Sequence, residues 1–156
     1  MNKFLAVMDR EKAGHPDITV TYRTMRLAAL WRTHLDRAYA ETGLSLTLVR
    51  PLLYLALMPE GLSQRNLVDA LQCDDATLAR IVDTLEKQGF IERKVDMKDR
   101  RLKRVTLTAL GIDRIGPIFA ITQQIEETVL SGLSQKQREE LISSLDKIIS
   151  NFLLEP

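Results

Sequence analysis

At 156 residues, with 45% apolar but only 5% aromatic residues, the chain can bury one ordinary core filled by Leu, Ile, Val and Ala. The formal net charge of +1 conceals an uneven distribution: residues 1–75 balance at zero, 76–104 carry nine cations against five acids, and 105–156 carry four against seven. A single cysteine rules out an intrachain disulfide. Two histidines without metal-ligand spacing, and the lack of a phosphate-cradling glycine loop, argue against an enzyme, a metal or a cofactor.

Lys3 before the apolar Phe4–Met8 resembles the start of a signal peptide, but Asp9, Arg10, Glu11 and Lys12 follow at once. No apolar run approaches the roughly 18 residues of a membrane span, so a cytoplasmic location is expected. Residues 1–16 show no period and predict an arm, mobile or packed on a partner subunit. Asp17 to about Glu41 predicts a long helix ended by Thr42-Gly43; Ile18, Tyr22, Met25, Ala29, Leu30, Leu35 and Ala38 spread over more than one stripe, so it needs two neighbours. Leu46–Met58 predicts a short, nearly all-apolar helix, with Thr47 as its cap and Pro51 in or near its first turn. Ser63–Gln72 predicts the first helix of a helix-turn-helix, with Ser63 as N-cap and Leu67, Val68 and Leu71 as its buried edge.

The stretch from Asp74 to Thr108 organises the chain. In DDATLARIVDTLEKQGF, Leu78, Ile81, Val82 and Leu85 recur at helical spacing, Asp74 and Asp75 are N-cap candidates, and Gly89 suits a left-handed C-terminal position. Ala76, Thr77, Arg80 and Lys87 project away from the apolar stripe. A helix start bearing small and polar side chains suits entry into a major groove, because bulk there would block the base edges. Phe90–Lys94 and Val105–Thr108 predict two strands of a hairpin. From Arg93 to Arg104 there are seven cations and two acids, a local balance of +5. A cationic ribbon beside a polar helix predicts a winged helix-turn-helix whose arginines enter a minor groove.

Thr108 predicts the cap of a helix from Ala109 to about Leu130, with Gly116-Pro117 predicting a kink or break near Asp113–Gly116. Gly132-Leu133-Ser134 predicts a turn, and Ser134 to Gln137 matches a capping box. The last helix shows Leu141, Leu145, Ile148, Ile149, Phe152 and Leu153, more apolar surface than a terminal helix should expose, and predicts a dimer seam with the first helix. The fold expected is mainly α with a small β wing: residues 1–44 an arm and dimerisation helix, 45–108 the winged module, 109–156 C-terminal dimerisation helices.

The run Asp99-Arg100-Arg101-Leu102-Lys103-Arg104-Val105-Thr106-Leu107-Thr108 resembles the D-x-R-x-x-x-(L/V)-x-L-T wing signature of MarR-family transcriptional regulators. The preceding Leu85-Glu86-Lys87-Gln88-Gly89-Phe90-Ile91-Glu92-Arg93 is similar to that family's LE-x-x-G-(L/F)-I-x-R. The Asp-Arg-Arg-x-Lys-Arg wing and the Trp31-Arg32 pair resemble the SlyA/RovA branch. The resemblance implies a homodimer acting on double-stranded DNA in the nucleoid, at a pseudo-palindromic operator, as a repressor or by displacing nucleoid silencers.

On this reading Arg101 holds the wing-tip contact and Arg100 a second groove or phosphate contact, while Asp99 braces the loop. Arg80, Thr77 and Ala76 face bases or phosphate, with Asp75 at the same helix start. Ser63 and Arg65 are phosphate candidates, and Lys87, Lys98 and Lys103 are charge contacts without sequence preference. The bland alternative for each is a solvated surface charge. Trp31, Arg32 and His34 suit a small aromatic carboxylate effector such as the family often takes; ordinary core or interface packing explains them equally well. Cys73, beside Asp74 and Asp75, lacks the electropositive surroundings of a reactive thiol and reads as structural. The other class considered is a winged-helix protein–protein adaptor that binds no DNA; such modules usually lose the basic wing and polar helix that this chain keeps.

Overall fold

The computed structural model describes residues 19–95 and 103–154. The predicted arm at 1–16 and the wing residues 96–102 lie outside the described residues. The chain divides into two compact units, 1–118 and 119–156, each taken by itself below.

In the first unit, helix α1 spans Thr19–Ala40 and α2 spans Leu46–Leu57. The start of α2 is not capped by Thr47, as its sequence suggests, nor by the side chain of Ser45, which holds the N-cap position. Instead Asp36 of α1 reaches across and its Oδ1 accepts the Leu46 N–H at 2.9 Å, satisfying a donor that a helix start leaves open. Pro51 lies inside the helix, just past its first turn, and is buried. Val49, Leu52 and Leu55 from α2 join Leu67, Leu78, Val82 and Leu85 in the core.

Strand β1 is the two residues Leu62–Ser63, and helix α3 follows over Gln64–Leu71. Helix α4 is Asp75–Lys87; strands β2 (Ile91–Val95) and β3 (Lys103–Leu107) form the wing. The sheet therefore has three antiparallel strands in the order β1-β3-β2, not the predicted two. Leu62 pairs with Val105 and Ser63 with Arg104 on one side of β3; Arg93 pairs with Val105 and Ile91 with Leu107 on the other. Both wing strands also differ from their predicted bounds by one or two residues. Phe90 is taken up by the end of α4 and Thr108 by the start of the next helix. Lys103 and Arg104, predicted as loop, extend β3 because their backbone pairs with Val95 and Lys94.

The end of α4 is closed by two bonds, Gly89 N–H to Glu86 C=O at 2.9 Å and Phe90 N–H to Leu85 C=O at 3.0 Å, with Gly89 at φ +75°. This Schellman pattern needs a residue in the left-handed region, which glycine occupies without a steric cost. Buried Phe90 and Leu85 supply the apolar contact that accompanies it.

Helix α5 spans Ala109–Val129. Thr108 fastens its start: its N–H donates to the Phe90 carbonyl at 3.0 Å, its hydroxyl donates to the Gly89 carbonyl at 2.6 Å, and the same oxygen accepts the Gly111 N–H at 3.0 Å. Gly111 lies so close that an added Cβ would stand 2.0 Å from the Phe90 carbonyl oxygen. The guanidinium of Arg114 lies 5.4 Å over the Phe90 ring. Of the predicted kink or break, no break occurs: α5 is helical through Pro117. Beyond its chain neighbours and its own helix backbone, Gly116 has no heavy atom near its Cβ position, and Asp113, whose carbonyl loses its partner to the proline, is exposed, where solvent can satisfy it.

The second unit holds the rest of α5 and helix α6, Gln135–Leu154. Gly132 turns the chain at φ +88°. The capping box forms as its sequence predicts, with Ser134 N–H donating to Gln137 Oε1 at 2.8 Å and Gln137 N–H to Ser134 Oγ at 3.3 Å. Leu145, Ile148, Ile149, Phe152 and Leu153 are all exposed on this unit. Among the described residues no helix is long and apolar enough to cross a membrane.

Two glycines in one helix give different expectations. Gly111→Ala forces Phe90 to move and should lower stability by about 1–3 kcal/mol, the usual range for overpacking. Gly116→Ala meets nothing beyond its chain neighbours, but it precedes Pro117, whose Cδ crowds a Cβ in helical conformation; that offsets the gain in helix propensity, and the change should be smaller than for Gly111→Ala. Urea unfolding followed by circular dichroism checks both. The cap at Asp74 gives a pH dependence. Its carboxyl is held below the ordinary value first by the Thr77 backbone N–H and then by the Thr77 hydroxyl. A depressed folded value stabilises above the unfolded pKa of about 3.9 and loses that stabilisation as pH falls through the folded value. The Tm difference between the wild type and Asp74→Ala should therefore be constant from pH 7 to 5 and narrow below pH 4 in thermal scans.

Candidate nucleic-acid interface

Helix α4 buries one side and exposes the other. Leu78, Ile81, Val82 and Leu85 face the core, while Asp75, Ala76, Arg80 and Lys87 are exposed. The helix begins cleanly because Asp74, in extended conformation, accepts the Thr77 N–H at 2.7 Å. The Thr77 hydroxyl donates to the second Asp74 oxygen at 2.9 Å. The predicted base-facing hydroxyl is thus already donating within the cap, which leaves its lone pairs and its methyl group to a ligand.

Helix α3 is set beside α4 by a tight turn. Its C-cap, Gln72, sits in the left-handed region at φ 52°, a position more usual for glycine or asparagine. The Gln72 side-chain amide donates to the Asp69 carbonyl at 2.6 Å, which ties the residue into the turn. At the other end, Ser63 Oγ accepts the Asn66 N–H at 3.1 Å. Arg65, in the first turn, is exposed. Cys73 is half-buried in the connection and unbridged.

The sheet joins these helices to the wing. Ser63 is at once the N-cap of α3 and the partner of Arg104 on β3. The Arg104 guanidinium donates to the Gly61 carbonyl at 2.9 Å. Gly61, at φ +81°, has no room for a side chain: a Cβ would lie 2.5 Å from the Thr106 methyl and 2.6 Å from the Val105 carbonyl oxygen. The turn before α3 is thereby pressed onto the wing's central strand.

The positive charge at the wing's root is less available than its sequence count suggests. Arg93 is ion-paired to both Asp83 and Glu86 of α4, the latter at 3.0 Å. Lys94 pairs with Glu92 at 2.6 Å, and Arg104 is engaged with Gly61. Arg65, Arg80, Lys87 and Lys103 are exposed and make no ion pair among the described residues. Lys98, Arg100 and Arg101, with Asp99, lie outside the described residues. The sequence did not single out Arg93 as an anchor, although two acids three residues apart on the preceding helix were a visible signal for it.

Trp31 is half-buried on α1, while Arg32 and His34 are exposed. A cavity of about 370 Å³ lies elsewhere in the first unit, lined by Leu55, Ala56, Pro59, Leu107, Ile112, Ile115 and Gly116. None of the three predicted effector residues lines it.

The model of the MarR family matches residues 51–103, which run from α2 to the start of β3. The chain is 34% identical over 108 residues to the HTH-type transcriptional regulator BilQ of Clostridium symbiosum, covering 69% of this chain and 74% of that one. The crystal structure of transcriptional regulator PA3341 superimposes with a TM-score of 0.81 at 30% identity, over 87% of this chain and 99% of that one. Staphylococcus aureus MepR, solved in complex with DNA, superimposes with a TM-score of 0.73 at 26% identity, over 84% and 96%. With the identity to BilQ spanning three-quarters of that protein, the MarR model matching the winged module, and the fold shared with solved regulators, the chain belongs to the MarR family of DNA-binding transcriptional regulators.

Proposed function

We propose that this regulator binds a pseudo-palindromic operator as a homodimer, each protomer placing α4 in a major groove and its wing in the flanking minor groove. The observation that carries the reading is the division of α4: a fully buried apolar stripe behind, and in front small Ala76 and an arginine, Arg80, with no ion pair among the described residues. Arginine there suits guanine O6 and N7, which match its fork. Thr77 and Asp75 complete the helix start. Arg65 and Ser63 lie at the start of α3 for phosphate contact, while Lys87, Lys98 and Lys103 add charge contacts without sequence preference. Arg101, with Arg100 beside it, enters the minor groove.

The dimer is supported by uncovered apolar side chains on two helices taken separately: Val20, Met25, Leu27 and Leu30 on α1, and Ile149, Phe152 and Leu153 on α6. Patches of this kind mark protein interfaces. A small aromatic acid meeting Trp31, Arg32 and His34 is the proposed release signal. Isothermal titration with salicylate should then give heat and weaken operator binding; neither effect would leave these three residues as packing alone. Repression and relief of nucleoid silencing both fit the reading.

Gel shifts on a duplex selected from a random pool test the DNA contacts. Arg80→Ala should reduce discrimination between selected and mismatched duplexes by about 1–3 kcal/mol at the affected base pair. Arg101→Ala should weaken binding to A·T-flanked sites and flatten the slope of log K against log salt by about one. An Arg101→Ala protein with unaltered affinity and slope would remove the wing from the interface.

A further inference from the structure

Helix α4 carries two acids on or beside the face proposed to meet DNA. At about 100° per residue, Asp83 projects roughly 60° round from Arg80 and roughly 40° from Lys87, at the edge of the same face, and Glu86 lies roughly 60° further round. Asp83 stands three residues after Arg80 and four before Lys87, the spacings at which helix side chains pair. Yet neither cation pairs with it among the described residues. Both Asp83 and Glu86 are instead held by one guanidinium, that of Arg93 on β2. The Arg93 side chain is 24% exposed, against 55% for Asp83 and 40% for Glu86, so the clamp is seated at the root of the wing with the acids on its outer side.

We propose that Arg93 is a positioning residue for DNA binding: it sequesters the Asp83 and Glu86 carboxylates and so leaves Arg80 and Lys87 unquenched for the nucleic acid. The inference rests on the groove-binding reading above. Without Arg93, α4 carries three acids, Asp75, Asp83 and Glu86, against two cations, Arg80 and Lys87. Asp83 would then turn to Arg80 or Lys87, and Glu86 would face phosphate unpaired. With Arg93 in place both acids are neutralised by a planar fork that can serve two carboxylates at once. The same pairs tie β2 to α4, so one side chain both neutralises the acids of that helix and adds to the backbone contacts that place the wing.

A double-mutant cycle on the full-length protein, read by fluorescence anisotropy on a duplex the wild type selects from a random pool, tests this. Arg93→Ala should weaken binding about tenfold or more, since like charges brought together across an interface are strongly disfavoured. Adding Asp83→Asn should restore most of that loss although no clamp is re-formed, while Asp83→Asn alone should change affinity by less than about twofold. A purely structural role would show the opposite: Arg93→Ala/Asp83→Asn as weak as Arg93→Ala. A direct phosphate contact would show a salt slope flattened by about one in Arg93→Ala and no rescue. Either result overturns the proposal. Should Arg93→Ala fail to fold, Arg93→Lys, which keeps the charge but not the fork, replaces it; Glu86→Gln should then recover its lost affinity, and no recovery overturns the proposal. A wild type that selects no duplex at all would sink the groove-binding reading itself, an outcome distinct from failed rescue.

Discussion

The buried residue Val105 stands in register between Leu62 and Arg93, and the placement of the whole winged module follows from that pairing. A two-stranded ribbon on its own is marginal in water. Here the ribbon gains a third strand, and the strand it gains is the segment that starts α3. The wing cannot shift along its register without carrying the first helix of the helix-turn-helix with it. Gly61 makes the coupling tight, because the turn before α3 lies on the Val105 carbonyl where no side chain fits. On the other side, Thr108 and Gly111 lock the start of α5 to the turn that ends α4. Helix α4 is therefore held at its end by contacts to the start of α5, and the helix before it is held at its start by contacts to β3.

That frame consumes charge. A count over residues 93–104 finds seven cations and two acids, but an electrostatic footprint is made of charges that remain unpaired. Arg93, Lys94 and Arg104 are each committed at the root of the wing, to α4, to a strand neighbour and to the Gly61 carbonyl. Of the described cations in the segment, Lys103 makes no ion pair among the described residues; on the reading proposed above, it and the cations at 98–101 are the ones that meet the polyanion. The engagement of the cations at the base of the segment is a consequence of the fold and not of composition.

Local signals were legible in the sequence because the atoms that satisfy them are three or four residues apart. Ser63, Asp74, Thr108 and the Ser134–Gln137 box all cap where the spacing says they should, and the apolar stripe of α4 is buried residue for residue. What escaped was set by distant partners. The start of α2 is capped by Asp36, ten residues earlier on another helix, so nothing near Thr47 could announce it. Strand β1 is two residues long and has no alternation to detect; only its partner on β3 makes it a strand. Lys103 and Arg104 read as loop by charge, yet pair through backbone that charge does not affect. Pro117 reads as a breaker, yet the helix tolerates it at an exposed turn beside a glycine. Within the candidate interface, the exposed set on α4 was visible from periodicity, whereas the two-acid clamp of Arg93 needed the fold to bring β2 back along α4.

The helix N-termini carry a further consequence for how phosphate can be held. A helix start offers open N–H donors and a positive dipole end, and for that reason attracts anions. In α3 and α4 those donors are partly used: Ser63 takes the Asn66 N–H, and Asp74 takes the Thr77 N–H with a full negative charge in place. A phosphate approaching α4 end-on would meet the carboxylate of Asp74 and, next to it, Asp75. Entry along the side of the helix, over Ala76 and Arg80, avoids both acids. The acidic cap thus does more than start the helix: it disfavours an end-on backbone contact and leaves the exposed flank as the approach that carries a positive charge. On the reading proposed above, phosphate grip then falls to side chains, Ser63, Arg65 and the wing cations, rather than to open donors at the helix ends.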